Sequence, residues 1–378
     1  MNYKVRFVNY PLHYQRLKGE IDAAISQVLN GGDFILRQQL RDFESNLAAY
    51  TGTKYAVGLN SGTDAIHLSL LAAGIGPGDE VITVAHTFVA TVAAIIHCGA
   101  TPILVDVGED FNLDVHQVEG VISPRTKAII PVHLNGRLCD MESLMALAEK
   151  HNLLVIEDAA QALGASFDGK KAGSFGVTGC FSFYPAKILG GIGDGGALVT
   201  NHREIAEKAR LLRDHGQQRE TGEIVCYGFN SRLDNLQAAI LDVKLRHLPE
   251  WIERRRELAA LYEKGLSGIS QIKTPPPPKS TGRFFDVFTN YVVRAQQRDE
   301  LAAYLRECGI EVLISWPKPM HHQAGLGLGH FHLPETERIC REVISLPLYP
   351  ELSNEQVKFV IDAIGNFYHR WACQEEVM

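Results

Sequence analysis

Cysteine is sparse and unpatterned in this chain. Its seven copies, at 98, 139, 180, 226, 308, 340 and 373, are odd in number and form no CxxC pair. That excludes the usual cysteine signatures of a zinc site or a disulfide framework, so reduced, mostly structural thiols and no metal are expected. Long apolar runs are missing as well. None approaches the roughly 18–20 residues of a membrane span, and the opening MNYKVRFVNYPLH has no apolar signal core. A cytoplasmic protein with no membrane partner is the expectation. Nor is positive charge concentrated anywhere: 37 Lys and Arg against 44 Asp and Glu leave a net charge of −7. Without a basic stripe to neutralise phosphates, nucleic acid is not an expected partner. There is no internal repeat.

What the chain does have is length and alternation. Its 378 residues exceed the roughly 250–300 at which single cores stop growing, which predicts two lobes. The short β-branched runs DEVITVA, TPILVDV, TKAIIPVHL and LLVIEDAA alternate with helical stretches such as SLMALAEKHN. This pattern predicts an α/β fold, with a mostly parallel central sheet covered by helices on both faces. Beyond about residue 245 the character changes. WIERRRELAALYEKGL reads as a charged amphipathic helix and TPPPPKS as a linker, while FTNYVVRA, RDELAAYLRECGI and EVLISW read as a strand, helix and strand. The expected division is a large domain at 15–249 and a smaller C-terminal α+β domain at 250–378, with segment 1–14 packing nearby.

Three features of the first domain carry chemistry. SGTDAIHLSLLAAGI opens a helix with Ser61, Gly62 and Thr63. Free N–H groups, a positive dipole end and a glycine make that a phosphate cradle, although Ser and Thr are also ordinary helix caps. In VIEDAAQALGA a hydrophobic strand ends in Glu157 and Asp158, where ligands of open α/β sheets bind. Alternatively, Asp158 only caps the next helix. Lys187 sits in CFSFYPAKILGGIGDGG, an apolar setting in which an unpaired lysine needs a partner or a route to water. A desolvated amine can form a Schiff base, and a carboxylate can hold a pyridine nitrogen protonated. Cradle, acid and amine together are what pyridoxal phosphate requires. The glycine run is followed by the strand-like ALVTN and not by a helix, which rejects a dinucleotide loop. Its glycines are expected to permit positive φ beside the lysine.

In order and spacing, SGTDA, TFVAT, PVHL, EDAAQALGA, FSFYPAK, GDGGALVTN and NSRLDNLQAAIL resemble the DegT/StrS family of nucleotide-sugar aminotransferases. The resemblance implies a fold type I pyridoxal-phosphate-dependent transferase acting as a homodimer with shared active sites. Matched motif by motif, Lys187 would be the Schiff-base lysine and proton shuttle, and Asp158 the partner of the pyridinium nitrogen. Gln161 would contact the ring hydroxyl and Phe88 would stack on the ring. Gly62, Thr63 and Ser182 would hold the phosphate, with Asn230 reaching across from the other subunit. Tyr184 and His321 would touch substrate. Ser182 alternates with Phe181 and Phe183 and so should face away from both.

The chain departs from the family pattern at several points. Ala186 and Ile188 flank Lys187, which should depress its basicity further. Asn135, Gly136 and Arg137 replace a common Tyr-Gly-Gln, Arg37 replaces a glycine, and His322 is an extra histidine in PMHHQ. These changes are expected near the substrate mouth. The implied reaction moves an amino group from L-glutamate to a nucleotide-linked keto sugar, with C3 favoured by the wording of NSRLDNLQAA. C4 amination, a cyclic polyol ketone as acceptor, and a non-catalytic sugar-binding paralogue are the alternatives.

Overall fold

A computed structural model describes residues 3–279 and 281–375. The last residue of the proline linker and the side chain of Cys373 lie outside the described residues. Seven strands form the main sheet: β1 (Tyr55–Leu59), β2 (Glu80–Val84), β3 (Thr101–Val105), β4 (Thr126–Ile129), β5 (Leu154–Asp158), β6 (Thr178–Ser182) and β7 (Gly196–Thr200). Their spatial order is β1-β7-β6-β5-β4-β2-β3. Strands β2 to β6 pair in parallel. Only β7 runs against both its neighbours. The mostly parallel sheet predicted from the alternating runs is therefore present.

Each strand sends successive side chains to opposite faces. Ala56, Ile82, Ile129, Val155 and Phe181 enter one core with the helices Gln38–Thr51 and Met141–Lys150. Val57, Val81, Ala128, Ile156 and Cys180 enter the other, with the helices Gly62–Ala72, Val89–His97 and Arg203–Leu212. Because both faces are covered, the strands read as continuous apolar runs.

A smaller antiparallel sheet is built from β8 (Ile272–Lys273), β9 (Tyr291–Ala295) and β10 (Val343–Leu346), in that order. Here the sequence reading needs correcting. EVLISW forms no strand beyond a single bridge from Leu313 to Ser345. The strand that pairs with β9 comes from VISL, some thirty residues later. The charged helix is also longer than read, running Asn235–Leu266 straight through Pro249. Its first half packs Ile240, Leu241 and Leu248 into the large core, and its second packs Leu258, Tyr262 and Leu266 against the small sheet. Lys4 and Val5 hydrogen-bond to the carbonyl of Gly309 at 2.8 and 3.1 Å. The six described cysteines are free. Among the described residues no helix is long and apolar enough to cross a membrane.

Candidate active site

The carboxyl end of β5 delivers Asp158 into a cavity of about 540 Å³. Lys187, Gly62, Thr63, Phe88, Gln161, Ser182 and Tyr184 line the same cavity, and Asn230 and His321 do not. Strand geometry explains the acid. Glu157 and Asp158 are consecutive, so they point to opposite faces, and Glu157 is turned into the core. The same alternation on β6 buries Phe181 and Phe183 and leaves Ser182 on the cavity wall, as expected from the sequence.

Asp158 is 5% exposed. One carboxylate oxygen accepts from Thr91 Oγ1 at 2.7 Å and the other from the backbone N–H of Ala160 at 3.2 Å. The Thr91 hydroxyl is itself 2.9 Å from that of Thr87. Burial pushes the carboxyl above its ordinary range, a rise opposed by these hydrogen bonds and by the charge of Lys187. Lys187 moves the other way. Burial lowers its pKa, and only the charge of Asp158 resists. That is the direction its apolar neighbours Ala186 and Ile188 imply.

The turn bearing Lys187 is held from behind. The Lys187 N–H bonds the Tyr184 carbonyl at 2.8 Å. The buried ammonium of Lys244, on the long helix, donates to the Gly190 carbonyl at 2.6 Å. The glycines that follow do not serve as predicted: none of Gly190, Gly191, Gly193, Gly195 and Gly196 has positive φ. They are there for space. A Cβ on Gly190 would lie 2.2 Å from the Pro185 carbonyl oxygen, and one on Gly196 2.2 Å from the backbone of Ser61.

That second approach brings β7 against the start of the helix Gly62–Ala72. Ser61 caps this helix by accepting the Asp64 N–H at 3.0 Å. The N–H groups of Gly62 and Thr63 have no partner among the described residues, as a helix N-terminus leaves them. Gly62 must also be small, because a Cβ there would meet that of Ser182 at 2.8 Å. Gln161 fixes its carbonyl oxygen on the Asn135 N–H at 2.9 Å, and its amide nitrogen has no partner among the described residues. Phe88 is 58% exposed at the cavity.

Sequence reasoning missed His133 and Thr91. His133 lines the cavity, and its Nδ1 accepts the Cys139 N–H at 3.2 Å. Its Nε2–H therefore donates to Glu157 at 3.0 Å. The Glu157 carboxylate also collects the N–H groups of Gly173, Phe175 and Gly176 at 2.7–2.8 Å. Thr91 had a signal, since it stands in TFVAT in the first turn of the helix that Phe88 precedes. Asn230 is exposed near the cradle, with its carbonyl 3.4 Å from Asn60 Nδ2. His321 is buried beside Glu337. Neither Arg37 nor Arg137 lines the cavity. Arg137 instead pairs with Asp286 at 2.7 Å and stacks on Phe284.

The buried acid takes its hydrogen bonds from neutral donors alone. The free helix N-terminus beside Ser182 lacks an anion, and the half-buried amine faces both. Pyridoxal phosphate carries the ring nitrogen, the phosphate and the aldehyde that match these three groups, so the residues fit it.

The comparisons with known proteins agree. A model of the DegT/DnrJ/EryC1/StrS aminotransferase family matches residues 15–365. A pleiotropic regulatory protein of Geobacillus stearothermophilus is 46% identical over 363 residues, which is 95% of this chain and 97% of that protein. The dTDP-3-amino-3,4,6-trideoxy-alpha-D-glucose transaminase of Streptomyces venezuelae is 44% identical over 371 residues, 97% of each chain. The crystal structure of DesV from S. venezuelae superposes with a TM-score of 0.92 at 43% identity, covering 96% of this chain and 98% of that one. A fold of this kind around such a cavity defines a fold type I, pyridoxal-phosphate-dependent aminotransferase. The chain belongs to the DegT/DnrJ/EryC1/StrS aminotransferase family.

Proposed function

We propose that this enzyme transfers the amino group of L-glutamate to C3 of a nucleotide-linked keto sugar, in the cytoplasm, for assembly of surface polysaccharide or a related amino sugar. One observation carries the reading: Lys187, Asp158 and the free N-terminus of the helix Gly62–Ala72 converge on a single cavity. Support for C3 comes from the name of the 44% identical relative.

Bound pyridoxal phosphate supplies an electron sink for the carbon–hydrogen bond to be broken. Asp158 keeps the ring nitrogen protonated, and the Thr91 hydroxyl and Ala160 N–H hold its carboxylate in place. Gly62, Thr63 and Ser182 hold the phosphate, Gln161 the ring hydroxyl, and Phe88 the ring face. Lys187 does the proton work. Its ε-amine, kept weakly basic by burial, takes the proton from the α-carbon of the donor and later returns one to the sugar carbon. Tyr184, which is 54% exposed and lines the cavity, serves the substrate, whereas buried His321 lies outside it. Asn230 of the partner subunit completes the phosphate site in a homodimer. The exposed apolar side chains of Ile224, Val225 and Tyr227, just before it in sequence, favour that assembly.

The test is a panel of nucleotide-linked amino sugars carrying nitrogen at C3 or C4, together with amino cyclitols, assayed with 2-oxoglutarate. Turnover of the C3 members alone is expected. Turnover confined to C4 sugars or cyclitols would overturn the regiochemistry and leave the aminotransferase intact. A second reading, a regulatory paralogue without turnover, is favoured by the name of the 46% identical relative. Glutamate separates the two: it bleaches the yellow cofactor band of a transaminase and leaves that of a binding protein unchanged.

A further inference from the structure

Away from the cavity, three histidines crowd one carboxylate. The short turn Met320–His322 presents two adjacent imidazoles, and the helix Pro334–Glu342 carries Glu337 opposite them. From Glu337 Oε1 the distances are 3.4 Å to His321 Nε2, 3.6 Å to His322 Nε2 and 4.0 Å to His332 Nδ1. The donor atoms of His321, His322 and Glu337 all lie within 4.8 Å of one another.

These separations are long for hydrogen bonds, which favour about 2.7–3.2 Å. The shortest of them, 3.4 Å, matches another geometry. Ligand atoms about 2.0–2.1 Å from a zinc ion, at tetrahedral angles, stand about 3.3–3.4 Å apart. His321 is 1% exposed and its Nδ1 has no hydrogen-bond partner among the described residues. Buried Met320, Leu328 and Leu333 form an apolar shell beside it, the kind of surrounding that strengthens ligation. His322 is the extra histidine that the family resemblance does not explain.

We propose that His321, His322 and Glu337 bind one divalent zinc ion. Imidazole and carboxylate donors suit Zn²⁺. The ion would tie the stretch 320–332 to the helix that follows. The same stretch begins just after Leu313 and Ser315, which line the active-site cavity, so the metal would brace one wall of that cavity.

Calorimetric titration of tag-free, chelator-treated, cofactor-loaded protein with Zn²⁺ tests this. One equivalent should bind and raise the melting temperature. His322→Leu and Glu337→Gln should each weaken binding on the order of ten-fold or more, and His116→Ala, on an exposed histidine outside the cluster, should not. His322 is 44% exposed in its side chain, so its replacement leaves the fold intact, which near-ultraviolet circular dichroism checks. Absence of stoichiometric binding, or affinity unchanged in both ligand variants, would overturn the site.

Discussion

Burial sets the charge states of the two ionisable groups that meet in the cavity. For Asp158 the folded pKa lies above the ordinary 3.8. Below that ordinary value the acid is protonated in both folded and unfolded chains and costs nothing. As pH rises toward the folded value, the unfolded chain releases its proton first, and stability is lost. Asp158→Asn removes this cost, so in the cofactor-free protein its melting temperature should gain on wild type as pH climbs from 4 toward neutrality. A gap that stays constant across that range would contradict the assignment. In the loaded enzyme the same change should abolish turnover, because a neutral amide cannot keep the pyridine nitrogen protonated. Glu157 is a residue of a different kind. It accepts three backbone N–H groups and the imidazole of His133 with no exposure to water. Glu157→Gln turns an N–H₂ toward those donors and should destabilise the protein by about 3 kcal/mol in urea titration.

At the scale of elements, the site depends on how closely β7 and the helix Gly62–Ala72 approach. Gly196→Ala puts a methyl 2.2 Å from the backbone of Ser61, and backbone cannot yield as a flexible side chain can. A stability loss of about 1–3 kcal/mol is expected, together with weaker binding of pyridoxal phosphate, read by equilibrium dialysis. Unchanged cofactor affinity would show that the cradle tolerates the shift. The role of this glycine was not legible in the sequence, because close approach is a relation between segments far apart in the chain. Positive φ, the local explanation, was the wrong one. Strands β2 to β5 were legible, since double burial makes their apolar runs continuous. EVLISW was misread for the same reason: its apolar pattern suits a strand, but VISL occupies the place beside β9. Asp158 and the cradle could be read because each ends or begins an element, and Lys187 because a lysine stands out among apolar neighbours. The His133–Glu157 pair could not, since it joins the loop after β4 to β5, a relation between segments that only the fold brings together.

For the whole molecule, the helix Asn235–Leu266 belongs to both cores. We propose that the division between domains 15–249 and 250–378 falls at Pro249 within it. The second copy of the chain completes the picture proposed for Asn230. Tyr227 is fully exposed at the tip of an apolar segment, so Tyr227→Asp should shift the protein to monomers in sedimentation and lower activity with them. Full activity from a monomer would exclude a shared site. The most direct measurement concerns the lysine itself: load the protein with pyridoxal phosphate, reduce it with borohydride, and map the modified peptide by mass spectrometry. Label on Lys187, absent in Lys187→Ala together with the visible band and turnover, is the predicted result. Label on another lysine, or turnover that survives the substitution, would contradict it.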